Sequence, residues 1–139
     1  MQVDLTLTAD YKDIAPICRV CSSITSQTFR LDQKQNSIST EIQFKNEDSI
    51  NIEFVNKDDN DDNTVEILKV KLDGIDLQHF IYEGSFSPIY NKEWFEKQNP
   101  KPPLIYSPCT ELRHNGTWSL NIKLPVWKMI MNKWITDER

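Results

Sequence analysis

The most polar stretch of the chain is residues 56–63, which carries four aspartates, at Asp58, Asp59, Asp61 and Asp62. Calcium in proteins takes roughly six to eight oxygen ligands from carboxylates, amides and carbonyls on an adaptable loop. The spacing of an EF-hand is missing, because no glycine stands in the middle of the stretch. The composition therefore allows two interpretations: a calcium site formed by the four aspartates, or a solvated loop between two strands.

The cysteines and one histidine offer a second set of metal ligands. Zinc binds four such side chains, and the two-residue gap between Cys18 and Cys21 is common at zinc sites. Cys109 and His114 would complete the set, with an unusual gap between them. The alternative is free thiols, which are the default in a reducing compartment.

Histidine is the usual general base near neutral pH, and the chain has two, His79 and His114. No Gly-x-Ser-x-Gly elbow accompanies them, and no nucleophile is identifiable. The three glycines are isolated from one another, so they form no phosphate-binding loop. The histidines are therefore either the bases of a small enzyme or structural and surface residues.

Aromatic residues are the remaining candidates for binding. Tyr90, Trp94 and Tyr106 flank the proline-rich segment 99–103, and Trp134 lies near the C-terminus. Tyrosine and tryptophan are favoured at binding surfaces because they offer a large area at a small entropic cost and keep a polar tip. Their flat faces also stack on sugar rings. We predict these four as ligand- or partner-binding residues, and we expect two other tryptophans, Trp118 and Trp127, to fill the core.

The composition limits the classes of partner. The chain has 139 residues and a net charge of −5, with 16 basic against 21 acidic residues and no basic run longer than two, so we expect no nucleic acid partner. No apolar run approaches the roughly 20 residues that span a bilayer, so we expect no membrane partner. The first residues resemble no secretory signal, and we expect the protein to be made in a cytoplasm and either kept there or released without the usual export route.

Alternating apolar residues predict the elements that position these side chains. Strands are indicated at residues 3–7, at 28–31, and at 38–44 and 50–55, the last two as an antiparallel pair. Residues 64–82 form a predicted hairpin around Asp73-Gly74, with a possible bulge at Leu68 and with His79 in its second strand.

The remaining segments are mixed. Residues 9–26 show no clear period, and within them residues 10–20 are compatible with a short helical turn that Pro16 interrupts. Lys92 to Gln98 is predicted as a short helix capped by Asn91. Asn115-Gly116 indicates a hairpin turn, and residues 117–124 alternate as a strand.

After Pro125 the apolar period becomes helical. The predicted fold is mainly β, an antiparallel β-sandwich of the jelly-roll type with a short C-terminal helix. We expect residues 1–124 to form the sandwich and residues 125–139 to pack on it.

The stretch from Val65 to Leu77 (VEILKVKLDGIDL), with an acidic loop before it and an aromatic-rich end after it, resembles the calcium-dependent xylan-binding-type carbohydrate-binding modules. It is also similar to small β-sandwich proteins encoded by large tailed bacteriophages. The first resemblance implies that carboxylates between Asp58 and Asp62 hold a calcium ion that bridges sugar hydroxyls. The second implies a virion accessory protein, such as a capsid decoration, baseplate or tail component.

Three functions follow from these observations, in this order. The first is a non-enzymatic interaction module of a virion, assembled in the host cytoplasm with other virion proteins or with its own copies, with no catalytic residues. The second is a calcium-dependent carbohydrate-binding module with a glycan as its partner. The third is a small enzyme that uses His79 or His114.

Overall fold

A computed structural model describes the backbone of residues 1–58 and 61–137, and the side chains of this part as far as residue 132. The strands are β1 (Gln2–Asp10), β2 (Ile17–Cys21), β3 (Ser26–Arg30), β4 (Gln35–Glu41), β5 (Glu47–Phe54), β6 (Thr64–Leu72), β7 (Ile75–Asp76), β8 (Ser85–Pro88), β9 (Glu111–Leu112) and β10 (Gly116–Lys123). The helices are a 3-10 helix (Gln78–Glu83), α1 (Lys92–Lys97) and α2 (Val126–Asp137). Within these residues, no helix is long and apolar enough to cross a membrane.

The strands form two antiparallel sheets. One has the order β4-β1-β6-β7, with β9 also paired to β6, and the other has the order β3-β2-β5-β10-β8. Their apolar faces meet in one core, because inward side chains alternate with outward polar ones along β1, β5 and β10. Each large apolar side chain buried there contributes about 1.5–3 kcal/mol. The predicted antiparallel β-sandwich with a short C-terminal helix is thereby confirmed.

Trp118 is among the largest fully buried side chains of this core. Its side chain is 0% exposed, and its indole Nε1 donates a hydrogen bond to the Cys109 carbonyl at 2.7 Å. Trp127, which we also expected in the core, is 56% exposed on α2, so that expectation is wrong. The helix instead inserts Val126, and Met129 and Ile130 pack beside it, because these three share the face turned toward the sandwich.

The predicted pairing of residues 38–44 with 50–55 is wrong. β4 pairs with β1 in one sheet, whereas β5 pairs with β2 and β10 in the other. The chain crosses between sheets after β4, and Ile42 is fully buried at the crossing, where its N–H donates to the Met1 carbonyl. Alternation identifies the buried face of a strand but not its partner, because both sheets need the same pattern.

The predicted hairpin at 64–82 is correct only at its turn. Asp73 and Gly74 have φ of 48° and 79°, the left-handed values that a tight turn requires. The returning strand β7 lasts two residues, and His79 lies on the 3-10 helix instead of on a strand. The bulge is confirmed, since the pairing of β1 with β6 passes from Lys69 to Ile67 and leaves Leu68 unpaired.

Two further expectations fail. The segment 9–26 contains strand β2 instead of a helical turn. Asn115-Gly116 joins β9 to β10, which belong to different sheets, so it is not a hairpin turn. Gly116 is nevertheless required, because its φ is 148° and a Cβ atom there would lie 2.3 Å from the Ser87 carbonyl oxygen.

Candidate ligand-binding site

A cleft of about 510 Å³ opens at one end of the sandwich. It lies where the β5–β6 connection, the segment after β8 and the β9–β10 connection come together. Most of its lining is polar, and the side chains used below are Asp61, Asp62, Asn91, Trp94, His114 and Asn115. Loops carried on a rigid scaffold are a frequent place for binding sites.

A cluster of aromatic rings around Tyr90 lies beside the cleft, and Trp94 and His114 of this cluster form part of the cleft lining. The Tyr90 ring stacks on Trp94 with centroids 5.6 Å apart and on Phe95 at 5.3 Å. His114 meets the Tyr90 ring edge-on at 4.9 Å and lies 5.5 Å from the Trp94 ring. Trp94 is 36% exposed, so the cluster presents part of its ring to the cleft. Such mutual stacking holds the rings in fixed orientations.

The Tyr90 hydroxyl anchors the cluster to the proline-rich segment. It donates to the Pro103 carbonyl at 2.5 Å and is hydrogen-bonded to the Tyr106 hydroxyl at 3.2 Å. Burial, and then the hydrogen bond with Tyr106, raise the pKa of Tyr90 well above its ordinary value. Tyr90 therefore stays a neutral phenol across the physiological pH range.

Helix α1 brings Trp94 to the cleft. Asn91 begins it as predicted, since its Oδ1 accepts a hydrogen bond from the Trp94 N–H at 3.1 Å. At the other end the Lys101 ammonium donates to the Phe95 and Glu96 carbonyls, and it lies 5.4 Å from the centre of the Phe95 ring. Both ends of this six-residue helix are thus held by side chains.

The opposite wall is the acidic loop, and its centre is Lys57. The Lys57 ammonium donates to the Asp61 carbonyl at 2.7 Å, to Asp61 Oδ1 at 3.0 Å and to the Asp58 carbonyl at 3.1 Å. Asp61 also accepts the N–H of Asp58 at Oδ2 and that of Asn63 at Oδ1. Burial alone would raise the pKa of Asp61, but these N–H groups and the ammonium outweigh it and hold the pKa below its ordinary value.

Three asparagines tie the acidic loop to its neighbours. Asn56 accepts the Ile17 N–H at 2.7 Å and donates to the Ala15 carbonyl at 3.0 Å, and Asn63 donates to the Ile14 carbonyl at 3.0 Å. Asn115 makes the third link, to the backbone of Lys57. These amides satisfy backbone groups as a strand partner would. They hold the loop against the β1–β2 connection and the β9–β10 connection.

The described residues do not fit a calcium cage. Asp61 is already committed to Lys57 and to the loop N–H groups, while Asp58 and Asp62 are exposed. Asp59 lies outside the described residues. In the part of the chain that the structure describes, no three histidine, cysteine or acidic side chains converge as a metal site.

The cysteines do not converge either. Cys18 is fully buried in the core, whereas Cys21 is on the other face of β2, with its Sγ 3.9 Å from Glu53. The two point apart because three positions along a strand reverse the side-chain direction. Burial raises the pKa of Cys18 to about 12, so the Cys18 side chain is a neutral thiol at neutral pH.

The structure brings together three of the four predicted binding aromatics, Tyr90, Trp94 and Tyr106. Of these, Trp94 lines the cleft, together with Asp61 and Asp62. The side chain of Trp134 lies outside the described residues. His79 stacks on Tyr82 at 6.1 Å and takes no part in the cleft lining.

Sequence reasoning missed three members of the site, one of which, Asn91, was predicted only as a helix cap. Lys57 stands next to a run of acidic residues and was given no role, and Asn115 was interpreted as a turn residue. The only sequence signal for Asn115 was the Asn-Gly pair, which marks a special backbone but not the contact with Lys57 across 58 positions.

Comparisons with known proteins bear on the fold. A solved structure described as vCBM60 in complex with galactobiose aligns with a TM-score of 0.61 at 12% identity, covering 88% of this chain and 100% of its own. The selenomethionine form of vCBM60, from work that links two families of calcium-dependent carbohydrate-binding modules by circular permutation, aligns with a TM-score of 0.53 at 15% identity, covering 89% and 97%. No family model matches the chain, and no curated protein matches it. At these identities the likeness is one of fold: the chain has the β-sandwich of these carbohydrate-binding modules.

Proposed function

We propose that the chain is a non-catalytic carbohydrate-binding module that holds a sugar in the cleft between the Tyr90–Trp94–His114 ring cluster and the acidic loop. One observation carries the proposal: a fixed, partly exposed tryptophan faces a polar cleft on this fold. The fold likeness to a module in complex with galactobiose supports it.

The chemistry of the cleft suits a sugar. A pyranose ring has an apolar face of C–H groups and an edge of hydroxyls. The exposed part of Trp94 offers a flat surface for the apolar face, and Asp62 and Asn91 offer a carboxylate and an amide for the hydroxyls. Small-molecule sites typically combine an aromatic surface with a small number of well-placed polar groups.

Binding requires little rearrangement in this site. The rings are held by Tyr90, and the opposite wall is held by the link between Lys57 and Asn115. Because the groups are already ordered, association does not have to fix many side chains. No metal takes part in the binding step as we propose it.

The fold favours this function over the virion component that headed the sequence predictions. Both structural neighbours are carbohydrate-binding modules. The virion role stays a prediction. The enzymatic alternative is less favoured by the geometry, because His114 is engaged in the ring cluster and His79 lies on a separate helix.

The test is a glycan array followed by calorimetric titration, with galactobiose as the first soluble ligand. We expect Trp94→Ala to weaken binding at least about tenfold, or about 1.4 kcal/mol. Trp127→Ala is the matched control, since Trp127 is also an exposed tryptophan but lies on α2 outside the cleft lining. Failure of the wild-type protein to bind any glycan on the array would disprove the proposal, as would equal losses in the two variants.

A further inference from the structure

The acidic loop already contains a cation. The side chain of Lys57 is only 11% exposed, and its ammonium lies among two carbonyl oxygens and one carboxylate oxygen of the loop at 2.7–3.1 Å. An ammonium has three N–H donors and no acceptor, so these three oxygens satisfy it completely. Lys57 is therefore held as a bound ion would be.

The ligands of Lys57 are of the types that calcium uses. Calcium sites are built from carboxylate and backbone carbonyl oxygens on a loop, and here the Asp58 carbonyl, the Asp61 carbonyl and the Asp61 carboxylate all point at one ammonium. A divalent ion at the same oxygens would have to expel this ammonium or lie beside a like charge. Either event costs free energy, and the cost is larger away from water.

Lys57 also holds the acidic loop, which forms the wall of the cleft opposite the aromatic rings, in position. Its backbone exchanges hydrogen bonds of 2.7 and 2.9 Å with the Asn115 side chain, while its ammonium fixes the carboxylate that receives the Asp58 and Asn63 N–H groups. One residue thus joins the acidic loop to the β9–β10 connection next to His114.

From this geometry we infer that Lys57 is a built-in cation that orders the described part of the acidic loop, Asp58 and Asp61 to Asn63, in place of calcium, and that ligand binding by this chain does not depend on calcium. The second clause rests on the proposed function, and the first does not. The fold is shared with calcium-dependent modules, so the inference concerns how this chain departs from them.

The first arm of the test uses the wild-type protein alone. The melting temperature is measured with a calcium chelator and then with calcium at about 10 mM, well above the Kd range of extracellular calcium sites. We expect a shift below about 1 °C, because a metal that does not bind the folded state cannot stabilise it. A rise of several degrees would overturn the inference.

The second arm removes the lysine. In Lys57→Met, amide hydrogen exchange at Asp58 and Asn63 is expected to accelerate at least about tenfold, because their acceptor carboxylate is no longer held. Lys45→Met, which removes an exposed lysine elsewhere, should leave these amides unchanged. Wild-type protection of both amides in Lys57→Met would refute the role given to the lysine.

The two proposals fail separately. Neither melting temperature nor amide exchange requires a sugar, so a protein that binds no glycan can still satisfy both arms. Conversely, glycan binding that is lost in the chelator and restored by calcium would overturn the calcium-independence and leave the carbohydrate-binding function standing.

Discussion

Asn115 and Lys57 exchange two hydrogen bonds: the Lys57 N–H donates to Asn115 Oδ1 at 2.7 Å, and Asn115 Nδ2 donates to the Lys57 carbonyl at 2.9 Å. The Asn115 side chain bonds both backbone groups of Lys57, as a neighbouring strand would, at a point where the β5–β6 connection has left the sheet. The two cleft walls are thereby fixed to each other, since His114 precedes Asn115 on the chain.

Asn115→Ala should therefore affect both stability and binding. It leaves a donor and an acceptor of Lys57 without their partner, which costs about 1–3 kcal/mol for a partly buried pair. We expect a lower urea midpoint and weaker glycan binding by titration. Asn121→Ala, at an exposed asparagine of β10, is the control and should change neither. Equal behaviour of the two variants would contradict the linking role of Asn115.

The variant Tyr90→Phe distinguishes the role of the Tyr90 hydroxyl from the role of the Tyr90 ring. The variant loses the hydrogen bonds to Pro103 and Tyr106, at an expected cost of about 1 kcal/mol in unfolding free energy. It keeps the stacking on Trp94, so glycan affinity should stay within about twofold of wild type, which is about 0.4 kcal/mol. Denaturation and titration of the same sample measure both. A large loss of affinity in Tyr90→Phe would contradict the prediction that ring stacking alone keeps Trp94 in its binding position.

The lowered pKa of Asp61 predicts that the stability of the protein depends on pH. Its pKa in the folded protein is below its ordinary value of about 3.9. A depressed pKa means that the folded state favours the carboxylate, so its contribution is fully present above the unfolded pKa and is lost as pH falls through the folded one. The stability difference between wild type and Asp61→Asn should be constant from neutral pH to about 5 and then shrink as the pH falls further.

Asp48 provides the control for that experiment. Burial alone would raise the pKa of Asp48, but hydrogen bonds from the Lys45 N–H and the Ser23 hydroxyl, with others, hold it below its ordinary value. Asp48 does not line the cleft. Asp48→Asn should also lose stability at neutral pH but keep its glycan affinity, whereas Asp61→Asn should weaken binding as well. A stability difference in Asp61→Asn that grows on acidification would contradict the assignment.

The strands were predictable wherever one face is buried along the whole element, as in β1 and β10. Burial of one face requires apolar and polar residues to alternate, and this alternation is visible in the sequence. The partners of β4 and β5 were not predictable, since both sheets bury the same kind of residue. Strand β2 was missed because it is short, follows Pro16 and contains Cys18, a residue that says little about secondary structure.

The candidate site was predictable on its aromatic side and not on its charged side. Tyr90, Trp94 and Tyr106 are close enough in sequence, on either side of a proline-rich segment, that their proximity was a fair expectation. Lys57 was not predictable, because its role depends on a loop that folds back on its own ammonium and on Asn115 far along the chain. Contacts of that kind have no local pattern.

The side chains that line the cleft at Asp62, Trp94 and His114 all lie outside the strand ladders. Replacing any of them removes no hydrogen bond between strands and no member of the apolar core. Surface changes of this kind usually alter stability little. Substitutions at these positions can therefore change the ligand specificity of the cleft without destabilising the sandwich. The loop end of the molecule can for this reason vary in evolution more freely than the strands.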